Sequence, residues 1–117
     1  MKNVAIILRR PPYGDINAAE AVRHAMGGAS DDLSVSLILM DAGVLILMAG
    51  QDVSGTGFTN LGEALTDCLD MGVSVYAERQ SMRQHRLDSR DIPERVRQVN
   101  GYEIAEIIKV SDTTMIF

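Results

Sequence analysis

Short apolar runs alternate along the chain with segments whose apolar residues recur every three or four positions. Asn3 to Leu8 (NVAIIL) is continuous, apolar and β-branched, the pattern of a strand buried on both faces of a parallel sheet. Pro11-Pro12-Tyr13-Gly14 ends it, and Asp15 stands where it can cap a helix with a stripe of Ile16, Ala19, Val22 and Met26. Gly27-Gly28 is the expected stop of that helix. Leu33 to Met40 (LSVSLILM) predicts a second strand, and Asp41-Ala42-Gly43 a turn. Val44 to Ala49 then predicts a short helix that is apolar all round, and Gly50 to Gly57 a loop. Asn60 and Glu63 resemble a capping box ahead of a helix with Leu61, Leu65, Cys68 and Leu69 on one stripe. Gly72 ends it. Val73 to Ala77 reads as a third strand, Gln80 to Arg86 as a short polar helix, and Val96 to Val99 as a short fourth strand. Asn100 and Glu103 repeat the capping pattern before a helix carrying Ile104, Ile107 and Ile108. Thr113 to Phe117 closes the chain as a strand.

This alternation predicts right-handed βαβ crossovers and an α/β fold, a three-layer α/β/α sandwich of about five mostly parallel strands. The 117 residues form one expected domain, 1–117.

Composition narrows the function. Apolar residues at 46% and charged residues at 23% exclude a disordered chain. Eleven basic residues against sixteen acidic ones, a net charge of −5, argue against a phosphate-neutralising nucleic-acid partner. The longest apolar stretch is far short of the ~20 residues of a membrane span, and no leader pattern precedes the first strand. A cytoplasmic protein with no membrane partner is expected. The single cysteine, Cys68, excludes an internal disulfide and fits a reducing compartment. Gly50 to Gly57 lacks a Gly-Lys-Ser/Thr ending, and no Gly-x-Gly-x-x-Gly follows the first strand. His24 and His85 share no ligand spacing with Cys68. Neither a metal nor a cofactor is expected, and whether the chain is an enzyme stays open.

Several segments together resemble the DsrE/DsrF-like family of sulfur-relay proteins, which includes the TusC and TusD subunits. They are the first strand with Pro12-Tyr13-Gly14, Asp41-Ala42-Gly43-Val44 through Gly50-Gln51, Val75-Tyr76-Ala77 through Ser81 and Leu87, and Ala105 to Phe117. The resemblance implies the same α/β sandwich, a role in sulfur relay, and assembly as a homo-oligomer (trimer or hexamer) or with sister subunits. It also implies a persulfide-carrying cysteine two residues after the tyrosine of the third strand. Glu78 stands there instead, and a carboxylate cannot hold a sulfane sulfur. On the resemblance, the chain is therefore expected to be an assembly or binding subunit that does not carry sulfur.

Two alternatives remain open at this stage. Cys68 is one, as a relocated carrier, although its helical spacing points it to the core and Asp67 and Asp70 disfavour the thiolate. The other is a small-ligand or anion-binding crevice at the carboxyl ends of the strands, drawing on Pro12, Tyr13, Gly14, Glu78, Arg79 and Ser81. Arg79 and Arg83, one turn apart, are the candidate anion grip. The apolar run Val44 to Met48 is expected to be covered partly by a partner chain.

Overall fold

A computed structural model describes residues 2–117. Its sheet has five parallel strands in the order β4-β3-β2-β1-β5. They are β1 (Asn3–Leu8), β2 (Ser34–Leu39), β3 (Ser74–Glu78), β4 (Arg97–Val99) and β5 (Thr113–Ile116). The α-helices are α1 (Asn17–Ser30), α2 (Leu61–Asp70), α3 (Arg79–Gln84) and α4 (Gly101–Lys109). Short 3-10 helices occupy Asp41–Leu47 and Ser89–Asp91. No helix among the described residues is long and apolar enough to cross a membrane.

Strand order decides which helix covers which face. From β1 to β4 the chain steps steadily in one direction, so right-handed crossovers put α1, α2 and α3 on one side. The return from β4 to β5 runs the other way and puts α4 alone on the opposite side. The core divides accordingly. Ile6, Leu8, Leu37, Leu39 and Val75 pack with residues of α1 and α2, including Ala21, Val22, Leu65 and Cys68. On the other side Ile104 of α4 packs with Ala5, Ile7, Ile38 and Val99.

Several local expectations change. Helix α1 passes through Gly27-Gly28 and ends only at Ser30, where Asp32 turns the chain at φ 62°. Gly28 is a packing residue, because a Cβ there would lie 2.8 Å from Cγ2 of Val35. The buried face of α1 is Ala18, Ala21, Val22 and Ala25. Ile16 and Ala19, expected on the inner stripe, are exposed, and Met26 is half-buried. Small alanines let the helix lie close to the sheet, which weighting by side-chain size cannot reveal. Asp15 sits one position before the N-cap, Ile16, yet its Oδ1 accepts a hydrogen bond from the N–H of Asn17 at 2.9 Å.

Asp41-Ala42-Gly43 is already helical, so the 3-10 helix begins three residues earlier than expected. A Cβ at Gly43 would stand 2.1 Å from the carbonyl oxygen of Leu8, so only glycine fits against the end of β1. Val44, Ile46 and Leu47 are buried within the chain itself, where the 3-10 helix packs on α2, β3 and α3. Its apolar circumference therefore needs no partner chain, and Met48 is the main residue of the run left exposed. Both asparagine caps form: Asn60 accepts from the N–H of Glu63 at 3.1 Å, and Asn100 and Glu103 complete a reciprocal capping box.

Candidate functional site

Glu78 is the last residue of β3 and lies half-buried at the carboxyl edge of the sheet. The chain turns at once into α3, which brings Ser81 back over the strand end. The Ser81 hydroxyl, fully buried, donates to the Glu78 carboxylate and accepts from the N–H of Asp41 at 2.8 Å. The Asp41 carboxylate in turn accepts from Nε of Arg9 at 2.8 Å. These bonds tie the ends of β1 and β3 to the starts of the 3-10 helix and α3. Asp41 holds a left-handed backbone at φ 51°, with its N–H bonded to Ser81.

Arg79 leaves this cluster. Its Nη2 donates to the carbonyl of Gln98 on β4 at 3.1 Å, and its Nη1 lies 3.9 Å from a carboxylate oxygen of Glu103. The expected Arg79–Arg83 anion grip is therefore not assembled. Arg79 reaches across to β4 and α4, while Arg83 is exposed and makes no ion pair among the described residues.

Pro12, Tyr13 and Gly14 belong to a second place. The Tyr13 hydroxyl donates to Oε1 of Gln51 at 2.6 Å and accepts from the N–H of Leu61 at 3.2 Å. Gln51 then donates to the carbonyls of Ile46 and Met48 at 2.8 and 3.0 Å. Asn60 donates to the backbone carbonyl of Gln51 at 3.0 Å. The Tyr13 ring stacks near Phe58, with centroids 6.3 Å apart and planes inclined by 15°. Beside them opens a cleft of about 320 Å³, bordered by Pro12, Tyr13, Gly14 and the start of α1. Glu78, Arg79 and Ser81 do not border this cleft. The crevice expected from sequence thus divides into two regions.

Sequence reasoning gave no role to Gln51 as an anchor or to Phe58 as a wall. A large aromatic beside the glycine-rich loop was the available signal for Phe58.

Cys68 is fully buried on α2, facing α1, with its Sγ 4.0 Å from the carbonyl of Val22. Burial, with the nearby Asp67 charge adding to it, pushes the thiol up to about 11 from an ordinary 9.0. It is a protonated core side chain at neutral pH. No group of three or more His, Cys, Asp or Glu side chains suited to a metal occurs among the described residues.

Comparisons with known proteins bear on this arrangement. The sequence profile of the DsrE/DsrF-like family matches residues 2–117. The chain is 33% identical over 95 residues to the intracellular sulfur oxidation protein DsrF of Allochromatium vinosum, covering 80% of this chain and 70% of that protein. It is 25% identical over 114 residues to an uncharacterized protein of Methanopyrus kandleri, covering 97% and 93%. Among solved structures, the ychN protein of E. coli superposes with a TM-score of 0.90 at 21% identity over the whole of both chains.

Proposed function

The chain belongs to the DsrE/DsrF-like family, and we propose that it serves sulfur relay as a binding or assembly subunit that does not itself carry sulfur. The name of its Allochromatium vinosum relative supports the link to sulfur chemistry. One observation carries the non-carrier reading: the chain has a single thiol, and that thiol is sealed between α1 and α2. Carriage requires a thiolate to attack the outer sulfur of a donor persulfide while the donor thiolate leaves. A protonated sulfur without solvent exposure is unsuited to both the attack and the later hand-over. The strand-end position, where the family resemblance leads one to look for the carrier, holds Glu78, whose carboxylate already accepts from Ser81.

On this reading the protein works in the reducing cytoplasm, as a trimer or hexamer of its own kind or with sister relay subunits. The carboxyl edge around Glu78 and Ser81 would then serve contact rather than group transfer. Incubation with a small persulfide donor followed by intact-mass analysis tests the non-carrier half, with an unchanged mass expected. A stable gain of one sulfur, lost in Cys68→Ser, overturns it. Light scattering at micromolar concentration, alone and mixed with sister subunits, tests the assembly half. A chain that stays monomeric in both overturns that half.

A further inference from the structure

The geometry points to a second binding site, independent of any sulfur reading: the cleft bordered by Tyr13 and Phe58 takes a small, uncharged, apolar aromatic molecule. The walls are Pro12, the Tyr13 ring, Ile16, Ala19, Phe58 and Leu61. Six apolar surfaces converge there from two segments remote in sequence, the stretch from the loop after β1 into α1 and the approach to α2. Ile16 is 73% exposed and Phe58 60% exposed, although both border the same hollow. Large apolar side chains left in water around a concavity lose that exposure when a ligand fills it.

Size and charge select the class of occupant. A volume of about 320 Å³ lies at the lower end of small-molecule sites, roughly 300–1,000 Å³. A protein partner is disfavoured, since a stable interface needs about 800 Å² on each side and the exposed large apolar residues at this rim are Ile16 and Phe58 alone. An ion is disfavoured too. Asp15, the charged residue of the lining, already accepts from Asn17 and pairs with Arg10 at 3.3 Å. The Tyr13 and Phe58 rings stack near each other, so together they form one aromatic side of the cleft, available to an apolar ligand by edge or outer-face contact. Tyr13 is held in place from behind by Gln51 and Leu61, so this wall is preformed. Thr59 also borders the cleft.

Titration of the intact protein with the uncharged fluorophore N-phenylnaphthylamine tests the site. Saturable binding of one probe per chain is expected. Ile16→Asp and Ala19→Phe, both at exposed positions, are expected to weaken it by roughly tenfold or more, by polarising or filling the cleft. Circular dichroism identical to the parent keeps both variants informative. Absence of saturable binding overturns the proposal. So does binding that neither Ile16→Asp nor Ala19→Phe weakens, since the probe then sits elsewhere. Failure of the relay reading would leave these results unchanged.

Discussion

The carboxyl edge of β3 and the interior between α1 and α2 divide between them what a sulfur carrier needs in one place. At the edge, Glu78 and its neighbours are within reach of solvent and of a partner, but the group present is a carboxylate. In the interior, Cys68 offers the right element but is fully buried and protonated. Access and chemistry are held apart in two different layers of the molecule. The one thiol of the chain thus packs in the core, while the strand edge presents a carboxylate.

The contrast predicts that interior changes cost most and edge changes less, least of all at exposed Arg79. Leu65 lies one turn before Cys68 and is almost fully buried. Leu65→Ala is expected to cost about 2–5 kcal/mol in urea unfolding, through lost transfer energy and the cavity left behind. An effect below about 1 kcal/mol would mean that the α1–α2 interior is loose enough to open.

Alkaline pH gives the next largest effect. The folded-state value of Cys68 is raised from 9.0 to about 11, so between these the folded state binds more protons than the unfolded one. Its contribution is complete below pH 9 and is lost as pH rises towards 11. The loss is at most about 2–3 kcal/mol. Stability measured against Cys68→Ala should show it, the variant losing less across that window. Equal losses would place the thiol in water.

At the edge, Ser81→Ala removes the donor to Glu78 and the acceptor of the Asp41 N–H. About 1–3 kcal/mol is expected from thermal unfolding, because the part-buried Asp41 amide and the Glu78 carboxylate both lose their partner. Arg79→Ala should cost least, under about 1 kcal/mol, since its ion pair with Glu103 is half-exposed. A larger loss would make Arg79 a structural tie between β3 and α4 rather than a surface residue.

Much of the fold was legible because its signals are local. The apolar β-branched runs marked every strand to within a residue or two, and Asn60 and Asn100 announced their helices through bonds spanning three residues. The face of α1 was not legible. Close packing on β2 selects alanines and Gly28, whereas a stripe drawn by size favours Ile16 and Met26. The covering of Val44 to Leu47 was missed for a related reason, since α2, β3 and α3 reach it only after the chain returns. In the candidate site, Glu78 and Ser81 meet at one edge of the sheet, because a residue after a parallel strand has few other places to go. The Tyr13–Gln51 bond spans 38 positions, and Arg79 reaches a β4 carbonyl 19 positions away. Neither leaves any periodic trace in the sequence.

On the non-carrier reading proposed above, what this chain lacks is an accessible thiol. Intact mass after exposure to a persulfide donor tests it most directly when the parent and Glu78→Cys are treated side by side. The account predicts no added sulfur on the parent and one on the variant, held at the introduced thiol and absent after reduction. Sulfur retained by the parent at Cys68, or none gained by a folded Glu78→Cys, would contradict it.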